Sequence, residues 1–509
     1  MSKIIREPEK AAKKTYDLII IGGGIYGVML AFEASRRELK SILLERDDFG
    51  QHTSFNSLRI IHGGLRYLQS FDLHRFKESV NERKWLLKTF PHLIKILPCL
   101  MPLYGNGLHR PFILRTALLV NDILSYNCNK ELSGGRRIPN GQVFDIEKTK
   151  AIFPSVDQEG LKGAAIWYDA YMLDSQRLLI EILRQSCRSG TKALNYVEVK
   201  NLLKDQNDVA GVSAVDRETG EVHEFKAHHV VNASGPWCRD VGTRFHQDMP
   251  KLFNASIAWN VLLDKKPMSD CALAVAPKKP KGQIYFLVPW NGNLFAGTGH
   301  GPWLDKIIET PIPSSDQLQE FLNDLNSAVP ELNVSLSDII RIFSGYLPVR
   351  HPGSVQLTHR EVILNHSDFG GPNGFYSISG IKFTTARLVA QKTLDRIFPQ
   401  KKTYVKEAEN RSSISQYNYD NRMLNNFDLR FSNNDIELKE DLKSIIEEES
   451  VQHIDDLMIR RTLLWANPSK ALEIAPQICN FFDWDKSRCQ VEMARLNKSI
   501  SVPQFKNHR

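Results

Sequence analysis

The sequence runs to 509 residues, 42% hydrophobic and 24% charged, with a formal net charge of +8. That balance excludes a disordered or low-complexity chain, and the length calls for two or three domains rather than one core. The small basic excess suits an acidic small substrate, an anionic cofactor or an anionic membrane surface; no nucleic-acid motif accompanies it, so no nucleic acid is expected as partner.

Seven cysteines are scattered with no CxxC spacing. A disulfide framework and a metal site are therefore not expected, and a reducing compartment is. The opening stretch MSKIIREPEKAAKK lacks the apolar core of a signal peptide, and no apolar run is long enough to span a bilayer. The expected location is cytoplasmic, with peripheral attachment to the cytoplasmic membrane face as an option.

In chain order, residues 1–14 read as a loose basic tail. Tyr16–Ile21 is an apolar run of buried-strand type, residues 25–37 have helical spacing, and Ser41–Glu45 is a second strand. Residues 72–90 form an amphipathic helix, 91–126 are more apolar, and 175–189 read as another helix. Residues 209–231 alternate as a hairpin leading into a buried strand. Strand-like runs at Ile284–Pro289 and Leu294–Thr298 predict an antiparallel sheet, and 376–396 predict strand, turn and helix. Beyond about residue 405 the composition turns polar and helical. The expected class is α/β. A Rossmann-type FAD-binding domain is built discontinuously from 15–90, 150–245 and 340–400. An antiparallel-sheet substrate domain takes 91–149 and 246–339, and a C-terminal helical domain takes 405–509.

Gly22, Gly24 and Gly27 make a GxGxxG turn between the first strand and helix. The first glycine permits the tight turn, the second lets backbone approach a pyrophosphate, and the third lets helix and strand pack closely. Glu45 ends the next strand, where an acid binds a free ribose 2′-hydroxyl, so FAD or NAD is expected rather than NADP. The hydroxyls of Thr53, Ser54 and Ser57, with Gly63 and Gly64, suit a backbone-lined channel for an extended cofactor and favour FAD.

With these motifs the chain resembles the flavin-linked glycerol-3-phosphate dehydrogenases, within the D-amino-acid-oxidase-like flavoproteins. The matching segments are DLIIIGGGIYG (17–27), TSFNSLRIIHGGLRYL (53–68), YDAYMLDSQRLL (168–179), VVNASGPW (230–237), FLVPW (286–290), SGYLP (344–348) and SGIKFTTAR (379–387). The resemblance implies extended FAD with its adenine end over Glu45. It implies cofactor contacts at Gly22, Gly24, Gly27, Glu45, Thr53, Ser54, Gly63, Gly64, Ala233, Gly235, Trp237, Gly380, Lys382 and Thr384. Arg66, Tyr67 and Lys382 fall on the substrate side. Lys382 is expected to begin a helix, where an anion would offset its opposition to the dipole.

The sequence departs from the family pattern in three places. Leu347 stands at the substrate-binding arginine of SGxRP, with Arg350 as the nearest substitute. His300 stands at the aspartate of GTTD, and Ile381 replaces a glycine. The expected function is oxidation of an anionic, phosphorylated polyol by hydride transfer to flavin N5. Arg66 and Lys382 are assigned to anion binding and flavin electrostatics, His300 is assigned as the base for the hydroxyl proton, and Tyr67 and Arg350 complete the catalytic set. With no second redox motif, quinone or oxygen is the expected acceptor. Two other readings stand beside this one: a flavin amine or 2-hydroxy-acid oxidase on the same fold, and a non-catalytic flavin-fold scaffold. Residues 112–126, flanked by His109 and Arg110, read either as a membrane-contacting helix or as a buried one.

Overall fold

The apolar run Thr15–Ile21, fully buried over Leu18–Ile20, is the centre of a mainly parallel sheet. Ser41–Leu44 lies on one side, with Ile20 opposite Leu43, and Lys192–Leu194 lies beyond it. On the other side Val222–Asn232 pairs in parallel, with Ile19 opposite Val230, followed by Phe375–Ser379. Val362–Asn365 closes that edge antiparallel. The helices Ile25–Arg36, Ser175–Arg188 and Ala386–Ile397 pack together against this sheet, and Leu30, Ile180, Leu183 and Leu394 are fully buried among them. The computed structural model describes residues 3–500, apart from 69–70, 106–109, 133, 248–252, 280–281, 359 and 402–435.

A second, mainly antiparallel sheet runs Ile339–Val349, Asn254–Leu263, Asn293–Pro302, Tyr285–Trp290, Ala272–Val275, Ile94–Leu103, Gly163–Met172 and Ile60–Ile61. One pair in it is parallel, Ala272–Val275 with Ile94–Leu103. Three of these strands fall outside the segments expected to build the substrate domain. Ile60–Ile61, Gly163–Met172 and Ile339–Val349 all join the second sheet. Their apolar patterns identify strands, but periodicity carries no information about which sheet a strand joins.

The described C-terminal residues are helical: Ile436–Glu448, a π-helical turn Asp456–Arg461, Pro468–Cys479 and Lys486–Ile500. They bury Trp465 against Trp290 and Phe343 of the second sheet and against Phe55 of the preceding turn.

The opening stretch is docked, which corrects its reading as a loose tail. Ile4 is 1% exposed, and its N–H donates to the carbonyl of Glu448 at 2.7 Å. Arg6 bonds the Asn195 carbonyl and the Asp216 carboxylate. Pro8–Ala12 is a short helix that buries Ala11. The charge count of this stretch conceals one apolar anchor and one well-placed arginine.

Candidate active site

The glycine turn lies where the strand Thr15–Ile21 gives way to the helix Ile25–Arg36. Gly22 has φ +106°, and a Cβ there would come within 2.8 Å of the Ala233 carbonyl oxygen, so only glycine fits. At Gly27 a Cβ would fall 1.8 Å from the Gly22 carbonyl oxygen. At Gly24 the nearest atom to a Cβ is Ser54 Oγ, at 3.3 Å, beside a large cavity. Ser54 Oγ accepts the Ile25 N–H at 2.9 Å and so caps the helix whose positive end faces that cavity. The Glu45 carboxylate takes the N–H of Gly23 at 2.5 Å and of Asp47 at 2.8 Å. Burial, then the neighbouring Asp47, push its pKa up.

The cavity measures about 1560 Å³, above the roughly 300–1,000 Å³ of an ordinary small-ligand pocket. It runs from the glycine turn to the second sheet. Gly22, Gly24, Glu45, Thr53, Ser54, Ala233, Gly235, Trp237, Gly380, Lys382 and Thr384 all line it, as do Arg66, Tyr67, His300 and Arg350. A helix N-terminus, a side-chain-free approach at Gly24 and an acid at Glu45 are what a dinucleotide's pyrophosphate and ribose require, so the residues fit FAD.

Three expected cofactor contacts do not line the cavity. Gly27 serves helix packing. Gly63 donates its N–H to Asp169 at 2.6 Å and sits against the guanidinium of Arg83. Gly64, at φ +91°, packs on Ser79 and Phe76. All three are glycine because protein atoms crowd them.

The turn at Gly380–Lys382 is pinned by Tyr26, the third variable position of the GxGxxG motif. The Tyr26 hydroxyl accepts the Lys382 N–H at 3.1 Å and donates to the Lys382 carbonyl at 3.0 Å. A Cβ on Gly380 would lie 2.0 Å from that hydroxyl. Lys382 does not begin a helix: the helix starts at Ala386, and Lys382 sits in the preceding turn.

Three cations converge on the buried Tyr67. Lys382 Nζ is 4.2 Å from the ring centre, Arg66 Cζ 5.5 Å and Arg75 Cζ 5.9 Å. Asp72 pairs with Arg75 at 3.2 Å; among the described residues no carboxylate reaches ion-pair distance of Arg66 or Lys382. Burial, reinforced by Arg66, brings the Lys382 pKa down to about 8. Burial, then Arg75, lowers that of Arg66.

Sequence reasoning missed a histidine–carboxylate pair in the same cavity. Ile60–Ile61 pairs antiparallel with Gly163–Met172, with Ile61 opposite Ala170, and that register sets His62 beside Asp169. His62 Nδ1 lies 3.1 Å from Asp169 Oδ2. Asp169 is buried, which raises its pKa, but bonds from His62, Arg83 and Gly63 outweigh this and keep it low. The position of His62 directly before Gly63-Gly64 was an available signal; Asp169 and Arg75 had none.

His300 faces the cavity with Nε2 2.6 Å from Ser256 Oγ, and burial lowers its pKa. Leu347 lies on the adjoining strand and its carbonyl accepts from the same hydroxyl at 3.3 Å. Arg350 is exposed at the rim. Opposite, the Arg46 guanidinium stacks on Trp237 at 4.4 Å.

The sequence pattern of the FAD-dependent oxidoreductases matches residues 17–396. The chain is 30% identical over 383 residues to the aerobic glycerol-3-phosphate dehydrogenase of Staphylococcus aureus, covering 75% of this chain and 67% of that one. It is 29% identical over 396 residues to the glycerol-3-phosphate dehydrogenase of Synechocystis, covering 75% and 70%. In fold it is similar to the FAD complex of glycerol-3-phosphate dehydrogenase from Bacillus halodurans, with a TM-score of 0.73 over 98% of both chains at 21% identity.

Proposed function

The chain belongs to the family of FAD-dependent oxidoreductases that includes the glycerol-3-phosphate dehydrogenases, and from that premise we propose that it oxidises a small phosphorylated polyol, glycerol-3-phosphate first among them. The observation that carries this reading is the cluster of Arg66, Arg75 and Lys382 in the cavity wall, paired among the described residues with the carboxylate of Asp72 alone. Arg66 is exposed and Arg75 and Lys382 are half-buried along the cavity; a local excess of cations of this kind favours an anionic ligand, and a phosphate group supplies one.

FAD, when bound, supplies the hydride acceptor. Gly22, Gly24 and Glu45 would hold its adenosine and pyrophosphate, and the Gly380–Thr384 turn would hold the other end. Arg66, Arg75 and Lys382 bind the phosphate and fix the carbinol carbon beside the cofactor. Asp169 accepts the Nδ1 proton of His62, which leaves Nε2 free to take the substrate hydroxyl proton. His300, tied to Ser256, orients the far side of the substrate.

Anaerobic bleaching of the purified yellow protein tests this reading. Glycerol-3-phosphate should bleach it and glycerol should not. Bleaching by amino acids or 2-hydroxy acids in place of phosphorylated polyols would overturn the assignment and favour an oxidase on the same fold.

The electrons leave to quinone or oxygen. The helix Pro111–Ser125 supports quinone at a membrane surface. Only Leu114 and Leu118 are buried along it, while Phe112, Leu119, Ile123 and the following Tyr126 are 79%, 60%, 65% and 71% exposed. Arg110 and Arg115 flank this apolar face, as interfacial helices require; His109 lies outside the described residues. Among the described residues no helix is long and apolar enough to cross a membrane. Co-sedimentation with anionic vesicles at low salt, lost in Phe112→Ser/Ile123→Ser, is the expected result; a protein that stays in the supernatant removes the membrane and favours oxygen.

A further inference from the structure

Asp48 has no part in the chemistry above, yet it is fully buried three residues after Glu45. Both its oxygens are taken. Oδ2 accepts from Arg460 Nε and Arg461 Nη1, each at 2.7 Å. Oδ1 accepts from Arg461 Nη2 at 2.8 Å and Asn195 Nδ2 at 2.9 Å. The two arginines sit side by side on the π-helical turn Asp456–Arg461, and that turn is itself braced. Arg460 bonds Asp456 at 2.6 Å and Asp455 at 3.0 Å, and Arg461 bonds the Glu449 carbonyl at 3.1 Å.

On its other side Asp48 leads straight into the cofactor turn. Phe49 is fully buried, and a Cβ on Gly23 would come within 2.9 Å of its ring. The Gly50 N–H donates to the Gly23 carbonyl at 3.0 Å, and Glu45 takes the Gly23 N–H. The loop 45–50 is thus the backing of the glycine turn, and the C-terminal helices hold that backing from behind.

We propose that Arg460 and Arg461 are positioning residues for the cofactor: they fix Asp48, and through it the 45–50 loop, in the shape that holds FAD. This rests on the placement of the adenosine end against Glu45 and the glycine turn. Remove the guanidiniums and a buried carboxylate keeps only Asn195; the loop must then move to hydrate it, and the Glu45 and Gly23 geometry moves with it. FAD retention therefore depends on a segment more than 400 residues away in sequence.

The test is the FAD dissociation constant of deflavinated protein, read by flavin fluorescence quenching, with thermal unfolding recorded alongside. Arg460→Gln and Arg461→Gln should each weaken FAD by tenfold or more, and Arg461→Lys should recover part of the loss. Arg495→Gln, which cuts the Arg495–Asp455 pair in the same region without touching Asp48, should stay within twofold of the parent. Unchanged affinity in Arg460→Gln overturns the proposal, and so does an equal loss in Arg495→Gln, which would indicate general loosening. If Arg461→Gln does not fold, Arg460→Gln decides. Gly24→Val separates the two levels: FAD retained there refutes the site placement, whereas FAD lost there but kept in the arginine variants refutes only the clamp.

Discussion

The ammonium of Lys382 stands 4.2 Å from the centre of the Tyr67 ring, and both line the cavity. The ring offers partial compensation for a charge that burial and Arg66 disfavour, leaving the lysine with a pKa of about 8. Its protonation state is therefore set by ligand and pH together.

Anion binding should weaken as pH rises through 8. Below that value Lys382 is charged and contributes its attraction in full; above it the attraction disappears. The KM for a phosphorylated substrate should climb between pH 7 and 9 in the parent and climb far less in Lys382→Arg. Lys382→Met should show the loss at every pH, worth roughly 1.5–3 kcal/mol for one charged hydrogen bond. A flat parent profile would place the anion elsewhere.

The glycines of the turn should separate by phenotype. Gly24→Val meets only Ser54 Oγ at 3.3 Å, so the protein should fold with a near-parental melting temperature and lack flavin. Gly27→Val drives a side chain into the Gly22 carbonyl oxygen at 1.8 Å, so it should lose stability outright, by about 1–3 kcal/mol or more. Absorbance of flavin per protein and a melting curve check both.

His62 and His300 should not be equivalent. His62→Asn removes the proton acceptor oriented by Asp169 and should slow anaerobic flavin reduction by about 10²–10⁴-fold with little change in FAD content. His300→Asn keeps a hydrogen-bonding partner for Ser256 and should cost less than tenfold, mainly in KM. The reverse order would make His300 the base.

His453 predicts the pH range of C-terminal docking. Burial lowers its pKa, but the hydrogen bonds its ring donates to the Glu218 and Glu492 carboxylates, with Asp456 nearby, more than reverse this and raise it from 6.5 to about 9 against opposition from Arg495. A folded pKa above the unfolded one means the contribution is complete below pH 6.5 and is lost as pH rises through 9. It amounts to roughly 2–3 kcal/mol. Stability should fall over that interval, and His453→Gln should flatten the fall, as thermal unfolding from pH 6 to 9.5 will show.

The cofactor half of the site could be read from the chain because its determinants are local. Gly22, Gly24 and Glu45 lie on consecutive elements, and each residue type follows from a constraint a few residues away. The substrate half could be read only in part, through Arg66, Tyr67, Lys382 and His300, which line the cavity. His62 meets Asp169 through a strand register that joins positions 107 residues apart. Arg75 reaches Tyr67 from a helix whose pattern shows only an amphipathic face. The sequence predicts a helix from Lys382, but the helix begins only at Ala386. Gly63 and Gly64 looked like cofactor contacts because their reason for being glycine, the crowding by Arg83, Ser79 and Phe76, is tertiary.

The burial of Asp48 also fixes an order of assembly. Its carboxylate meets Arg460 across 412 residues of chain, and Ile4 meets Glu448 across a comparable span. Neither contact can form while a nascent chain is still short of these arginines, and closures over such separations are slow. The Rossmann strands can collapse early, but the loop behind the glycine turn holds an unsatisfied charge until the last helices arrive. With Arg460 and Arg461 positioning the loop as proposed, flavin capture is expected to follow their arrival, and chains halted before residue 460 should emerge colourless.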